Sequence, residues 1–165
     1  MMSQPPPSNS KAALTATAIR FLAYRPRFKA EVITRLAKKA KELGLADPLT
    51  LINQIIASLE KSGFIDDDKL LESYIHSRLV EKKKGPYWIR QRLLRFGLSR
   101  PEIDAALAKF ADKSTQLTVL RNYIQKHPTT ADPKTKAKLF RRLISRGFST
   151  SIISESLKYR SDPSE

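Results

Sequence analysis

Three copies of one pattern run through this chain of 165 residues. In each copy a basic segment ends in Gly followed by Leu or Phe, and a capped apolar segment comes next. The glycines are Gly44, Gly97 and Gly147, about 50 residues apart, a period that is typical of stacked helical units. The pattern therefore predicts an all-α fold in which one unit of helices is used three times.

Each copy has the marks of one helix that ends and another that begins. Apolar residues stand eight and four positions before the glycine, as Leu139 and Leu143 do before Gly147, so they share one helical face. Glycine is favoured just after a helix, because the left-handed backbone conformation costs little without a Cβ. The buried face of the third copy is predicted to include Phe140 and Ile144 as well, and that of the first copy Leu36 and Ala40. The side chains placed to cap the following helices are those of Asp47, Ser99 and Ser149.

Nine predicted helices fill the chain in three groups of three, and no segment reads as a strand. Repeats that contact only their neighbours stack in one direction, so we expect three tandem three-helix repeats that form an elongated, curved array. The predicted organisation is a disordered N-terminal tail at 1–13, repeats at 14–63, 64–112 and 113–160, and a C-terminal tail at 161–165. The predicted helices are Leu14–Tyr24, Phe28–Leu43, Pro48–Ser62, Asp67–Lys82, Pro86–Phe96, Pro101–Phe110, Ser114–Lys126, Pro133–Arg146 and Thr150–Tyr159.

Composition indicates a soluble protein that binds polyanions. The 31 Lys and Arg residues against 16 Asp and Glu give a formal net charge of +15, a balance typical of chains that bind nucleic acid. Cysteine is absent, which excludes disulfides and thiolate metal sites and fits the cytoplasm. The first ten residues have neither a basic start nor an apolar core, so we expect no signal peptide and no membrane anchor.

The positive charge is concentrated in two segments that contain no acid, Lys82–Arg100 and Lys134–Arg146. Each lies in the second helix of its repeat or just before it, opposite the apolar face. A basic helix face can serve solubility alone, but its recurrence in register favours a binding surface. The residues predicted to form this surface are Lys82, Lys83, Lys84, Arg90, Arg92, Arg95, Lys138, Arg141 and Arg142. Tyr87 and Trp88 fall beside them, and packing is the preferred interpretation for both over base stacking.

No residue pattern indicates catalysis, a metal site or a cofactor. Asp66, Asp67 and Asp68 stand at a predicted helix start, where a cap and the helix dipole explain them, and consecutive residues there do not converge on a cation. His76 and His127 are far apart in the sequence, and no phosphate-binding glycine loop is present. We therefore expect a protein that is not an enzyme.

The segment 63–78, GFIDDDKLLESYIHSR, resembles the central signature of the RecX family. The segments 84–93 and 146–149 resemble the next stretch and the last repeat of that family, in the same order, and the likeness extends over residues 18–157. Phe28 departs from the family pattern, because a serine that starts a helix is common at its position. Leu70 and Leu71 depart as well, from a common phenylalanine and a small alanine.

The resemblance implies a regulator of recombination, in DNA repair and the SOS response. Proteins of this family consist of three tandem three-helix repeats, bind RecA-type recombinase filaments along the filament groove, and restrain filament growth, ATP hydrolysis and strand exchange. The expected partners are such a filament and, more weakly, single-stranded and double-stranded DNA. We expect a cytoplasmic monomer with no membrane partner.

Two other functions stay open at the level of sequence. The first is a helical nucleic-acid-binding module that acts without recombinase, with one short helix pair as a helix-turn-helix reader. The second is a scaffold that binds an acidic protein and does not touch DNA.

Overall fold

The structure, a computed structural model, describes residues 7–127 and 132–158. Within these ranges the chain forms nine α-helices and no strand, so the all-α class predicted from the repeat pattern is confirmed. Residues 1–6 of the predicted N-terminal tail and the whole predicted C-terminal tail at 161–165 lie outside the described residues. The helices are α1 Pro7–Tyr24, α2 Lys29–Glu42, α3 Leu49–Lys61, α4 Asp67–His76, α5 Pro86–Arg95, α6 Arg100–Phe110, α7 Lys113–Lys126, α8 Pro133–Ser145 and α9 Thr150–Lys158.

The first helix begins earlier than the sequence predicts. α1 starts at Pro7 rather than at Leu14, so residues 7–13 are helical although they belong to the predicted tail at 1–13. Proline is compatible with the first turn of a helix, because the N–H that it lacks has no partner there. Ser10 is only 2% exposed, so the added turns pack against the protein.

The chain divides into two compact units, Met1–Leu70 and Leu71–Glu165. α1, α2 and α3 lie in the first unit, and α5 to α9 lie in the second, while α4 contains the boundary. The second unit therefore contains the predicted third repeat and residues 71–112 of the predicted second repeat, whose residues 64–70 lie in the first unit. The boundaries between the repeats stay a prediction.

In the first unit α1, α2 and α3 pack against one another in all three pairings. Leu14, Leu36 and Ile52 are 0–2% exposed and form the centre of this core. Val32 and Ala40 lie on the same face of α2 as Leu36, at the spacing of one helical turn, and both are fully buried. The face predicted from Leu36 and Ala40 is confirmed.

In the second unit α9 packs on both α7 and α8, and α5 packs on α6. Ile89 and Leu93 of α5 are fully buried. On α8, Leu143 is fully buried and Leu139 is 7% exposed. The repeat pattern predicts the burial of all four. Ile144 is 40% exposed, which corrects its assignment to the apolar face. It follows Leu143 directly, and successive residues of an α-helix point about 100° apart.

The three glycines of the repeat end their helices as predicted, with φ between +70° and +92°. The Gly147 N–H donates to the Ile144 carbonyl at 2.8 Å, and the Phe148 N–H donates to the Leu143 carbonyl at 3.3 Å. These two bonds are those of a Schellman C-cap. Gly63, at φ +72°, follows α3 in the same conformation.

Two of the three predicted N-caps are confirmed and one is wrong. The Ser99 hydroxyl accepts the Glu102 N–H at 3.5 Å, and the Glu102 carboxylate accepts the Ser99 N–H at 2.9 Å, which makes a capping box. The Ser149 hydroxyl accepts the N–H three residues ahead at 3.4 Å. Asp47 does not cap α3, because Pro48 occupies the N-cap position and makes no side-chain cap.

At the start of α2, side chains other than that of the N-cap residue accept hydrogen bonds from the backbone N–H groups. Phe28 occupies the N-cap, its side chain carries no oxygen, and it is 1% exposed. Asp67, 38 residues further along the chain, accepts the Lys29 N–H at 2.8 Å, and Glu31 accepts the Phe28 N–H at 3.2 Å. A buried ring thus replaces the serine expected from the resemblance, while two carboxylates satisfy N–H groups that the helix itself leaves free.

Candidate functional site

The predicted binding residues all lie in the second unit, on three segments of the chain. Three lysines occupy the loop at 82–84 before α5, three arginines lie on α5, and one lysine and two arginines lie on α8. The loop and α8 are joined directly by hydrogen bonds, and the contacts of each segment decide which of its charges face solvent.

The lysine loop begins where α4 is prolonged by a π-helical turn, Ser77–Glu81. The Lys82 N–H donates to the Ser77 carbonyl at 3.0 Å, five residues back, and closes this turn. Lys83 follows with φ +54°, in the left-handed region. The helix therefore ends before Lys83, and the single α-helix predicted over Asp67–Lys82 is corrected to an α-helix with a terminal π-helical turn.

The three lysines of the loop have different surroundings. Lys82 is exposed. The Lys83 ammonium donates to the Val80 carbonyl, so it is engaged within the loop. The Lys84 ammonium lies 5.0 Å from the centre of the Trp88 ring, in a cation–π contact. Of the three charges, that of Lys82 is the most available to a partner.

Backbone contacts hold the start of α5, directly after the lysine loop, against the residues that follow α8. The Gly85 N–H donates to the Arg146 carbonyl at 2.8 Å, and the Tyr87 N–H donates to the Gly147 carbonyl at 3.1 Å. The approach is so close that a Cβ on Gly85 would lie 2.3 Å from the Gly147 carbonyl carbon. A Cβ on Gly147 would lie 2.5 Å from the backbone nitrogen of Trp88. Only glycine at both positions allows this junction between the predicted repeats 2 and 3.

Arg146 strengthens the same junction through its side chain. Its guanidinium donates to the Lys82 carbonyl at 3.0 Å and to the Lys83 carbonyl at 3.3 Å. It also lies 5.3 Å from the centre of the Tyr123 ring on α7. The sequence prediction omits Arg146 from the site. The structure assigns it a positioning role, because it fixes the backbone that carries Lys82.

We expect Arg146→Lys to lower the free energy of unfolding by about 1–2 kcal/mol. Both bonds come from the Nη1 of Arg146. A lysine retains the charge, but it lacks the planar guanidinium that lies on the Tyr123 ring and holds this nitrogen in place, and hydrogen bonds to charged groups are worth about 1.5–3 kcal/mol. Urea unfolding followed by the fluorescence of Trp88, the only tryptophan, measures the change. The matched control is Arg141→Lys at an exposed position, with an expected change within about 0.5 kcal/mol. Equal losses in the two variants would contradict the role of Arg146.

On α8 the cations point to solvent. Lys138, Arg141 and Arg142 are exposed, and none of them forms an ion pair with another residue that the structure describes. Arg142 lies one helical turn before Arg146, on the side of α8 that reaches the lysine loop. The predicted residues Lys82 and Arg142 are thus carried by two segments that are hydrogen-bonded to each other.

The N-terminus of α8 is fixed by Asp132. Its carboxylate accepts the Thr135 hydroxyl at 2.9 Å and the N–H groups of Thr135 and Lys134 at 3.1 and 3.3 Å. These bonds, that of the Thr135 hydroxyl first, hold the pKa of Asp132 below its ordinary value. The cap therefore persists as a carboxylate at neutral pH, and its stabilising effect is lost as the pH falls through the lowered pKa.

On α5 one of the three predicted arginines is paired with an acid. Arg90 donates to the Asp104 carboxylate of α6, with a shortest distance of 2.8 Å, so its charge is largely balanced. Arg92 and Arg95 are exposed. Tyr87 is 63% exposed, and the packing predicted for it is wrong, whereas Trp88 is half-buried against Gly147.

The aspartates at the start of α4 have structural partners. Asp66 accepts the Lys69 N–H at 3.0 Å, as expected for a cap, and Asp67 accepts the Lys29 N–H. Among the residues that the structure describes, no group of three or more His, Cys, Asp and Glu side chains is arranged to hold a metal ion. Over the same residues, none of the helices combines the length and the apolar character that crossing a bilayer requires.

Comparison with known sequences points to one family. Residues 66–107 match the family model for RecX, second three-helix domain. Regulatory protein RecX of Streptococcus thermophilus is 35% identical over 136 residues, which are 80% of this chain and 49% of that protein. Regulatory protein RecX of Streptococcus pyogenes is 29% identical over 143 residues, 86% of this chain and 53% of that protein. The chain thus spans about half the length of these relatives.

Solved structures share the fold. The crystal structure of RecX from Lactobacillus salivarius superposes with a TM-score of 0.70 at 21% identity, over 92% of this chain and 97% of that one. A second crystal structure, of regulatory protein RecX, gives a TM-score of 0.65 at 23% identity, over 92% of this chain and 73% of the other. The helical repeat architecture is therefore common to this chain and to both structures.

Proposed function

Because this chain belongs to the RecX family of regulatory proteins, we propose that it binds RecA-type recombinase filaments and inhibits filament growth, ATP hydrolysis and strand exchange. In this role it regulates the recombinase in the cytoplasm and catalyses no reaction itself. Its partners are the filament and, more weakly, single-stranded and double-stranded DNA, and it acts as a monomer.

The observation that supports this proposal most strongly is the cationic surface of the second unit. Lys82, Lys138, Arg141 and Arg142 are exposed, and the junction at Gly85 and Gly147 holds their two segments together. Cations on a rigid support attract polyanions without a large ordering cost, and a nucleoprotein filament presents both phosphates and protein. We propose Lys82, Lys138, Arg141 and Arg142 as the principal contacts, with Lys83, Lys84, Arg90, Arg92 and Arg95 beside them.

The proposal is tested by binding to three ligands at two salt concentrations: bare duplex, bare single-stranded DNA, and single-stranded DNA coated with a RecA-type recombinase. We expect the coated strand to bind most tightly and the ATP hydrolysis of the recombinase to fall as this protein is added. Binding to bare DNA should weaken with salt, by about 0.9 in log affinity per unit of log salt for each phosphate contacted on duplex and about 0.7 on a single strand.

The net charge of +15 also fits a nucleic-acid-binding module that acts without recombinase. That function predicts equal affinity for bare and coated strands and an unchanged rate of ATP hydrolysis. This pair of results would replace the regulatory proposal with the simpler one.

A further inference from the structure

A second cationic surface lies in the first unit, in a cleft of about 510 Å³ between α1 and α2. Arg20, Phe21 and Tyr24 of α1 line one side, and Arg35 and Lys39 of α2 line the other. None of these residues belongs to the predicted contacts on the second unit. A volume of this size is within the range of small-molecule sites.

Two of the cleft's cations are balanced by neighbouring acids. Arg27, which also lines the cleft, pairs with Glu31 at 3.3 Å and lies 4.2 Å from the centre of the Phe21 ring. Lys39 pairs at 3.1 Å with Glu42, which also lines the cleft. This contact and, to a smaller extent, the charge of Arg35 lower the pKa of the Glu42 carboxyl. Because Arg27 and Lys39 already have acidic partners, they contribute less than an unpaired cation to the binding of an anion.

Arg20 and Arg35 supply the charge that the cleft offers to a ligand. Both are exposed, and neither forms an ion pair with any residue in the described ranges. Arginine presents a planar fork of donors that matches the oxygens of a phosphate. Guanidinium groups from two facing helices at one cleft are therefore suited to a phosphate.

The cleft also offers an aromatic ring to a ligand. Tyr24 is 84% exposed and lies one helical turn after Arg20, on the same side of α1. An exposed ring beside phosphate-binding cations is the combination with which proteins hold single strands, because every base has a face that can stack. An acidic peptide would use the two arginines but would have no base to place on the ring.

We propose that this cleft binds single-stranded nucleic acid, with a phosphate at Arg20 and Arg35 and a base stacked on Tyr24. The three groups are all at the surface, so the strand can continue past the cleft in both directions, which a free nucleotide would not require. The proposal rests on the part of the proposed function that includes single-stranded DNA, to which it adds a second site. Because its test contains no recombinase, failure of this site and failure of filament inhibition are distinguishable.

The test measures the binding of the whole chain to a fluorescent oligothymidylate by anisotropy, at two salt concentrations. We expect Arg20→Glu with Arg35→Glu to lower affinity about tenfold or more and to reduce the salt slope by about 0.7, the contribution of one phosphate contact on a single strand. Tyr24→Ala should lower affinity about fivefold or more, the effect of one stacked base. The matched control is Lys61→Glu with Lys69→Glu, an equal change of charge at two exposed positions outside the cleft.

Further ligands separate the proposed strand from other anions. An abasic oligonucleotide of the same length should bind the wild type and Tyr24→Ala equally, because it has phosphates and no bases. The proposal fails if the control variant loses as much affinity as the cleft variant, or if Tyr24→Ala weakens the abasic strand as much as oligothymidylate. Tighter binding of a poly-glutamate peptide of equal charge, or of free thymidine monophosphate, would also overturn it. Circular dichroism of each variant establishes that its helical content is retained.

Discussion

Replacing Gly147 by alanine will lower the free energy of unfolding by about 3 kcal/mol or more, the largest effect that we expect from a single methyl group in this chain. Two costs combine. Gly147 has φ +92°, where a residue with a Cβ loses about 1–2 kcal/mol, and the new Cβ would lie 2.5 Å from the Trp88 nitrogen, where overpacking costs about 1–3 kcal/mol. The obstacle is backbone, so it cannot rotate away, and the two segments of the junction must separate. Urea unfolding followed by circular dichroism measures the loss.

Two further glycines separate the two costs. Gly85 has φ −78°, which suits alanine, but its Cβ would lie 2.3 Å from Gly147, so Gly85→Ala should show the steric cost alone, about 1–3 kcal/mol. Gly44 has φ +70° and open space around it, so Gly44→Ala should show only the conformational cost, about 1–2 kcal/mol. If Gly147→Ala were no more destabilising than Gly44→Ala, the close junction would be refuted.

Reversing the charges of Arg141 and Arg142 to glutamate will weaken binding to recombinase-coated single-stranded DNA about tenfold or more and relieve the inhibition of ATP hydrolysis. Both side chains are exposed on α8 and form no ion pair within the described residues, so the change alters the field of the surface by four charges without breaking a contact of the fold. Like charges placed against a polyanion slow association, and the loss of two cationic contacts reduces the salt dependence of the binding that remains. Titration of the variant against labelled coated strand, with ATP hydrolysis recorded in parallel, measures both effects.

Two controls make that result interpretable. Lys61→Glu with Lys69→Glu changes the charge equally at exposed positions in the first unit and should retain most of the inhibition. Leu143→Ala is the second control, because it should lower the free energy of unfolding by about 2–5 kcal/mol without changing the charge of the surface, since Leu143 of α8 is fully buried. Unchanged inhibition by the arginine variant would remove this face of α8 from the proposed site.

The sequence predicts best where a structural choice depends on a few neighbouring residues. The turn at Gly147 is an example, since its conformation depends on the missing Cβ and its two hydrogen bonds return to residues three and five positions back. The cap at Ser99 is another, because the box with Glu102 closes within one turn. Asp47 shows the limit even of local signals, because Pro48 takes the N-cap position in its place.

The sequence predicts residues for the candidate site, but it does not predict their arrangement. Charge counting treats Arg90 and Arg142 alike, although Arg90 pairs with Asp104 of α6 and Arg142 faces solvent. It also omits Arg146, whose role depends on carbonyls of Lys82 and Lys83 that are 64 and 63 residues away in the sequence. A distant partner of that kind leaves no periodic signal along the chain.

The order of the amino acids alone was therefore sufficient for the all-α class, the helix ends at the repeated glycines and the cationic character of the chain, because each follows from composition or from residues within about one turn of one another. Folding in three dimensions was needed to bring Gly85 against Gly147, Asp67 to the start of α2, and Arg20 and Arg35 to the two sides of one cleft. These contacts join residues that are distant in the sequence. They depend on how helices pack, which is set by the fit of whole apolar faces rather than by any local pattern.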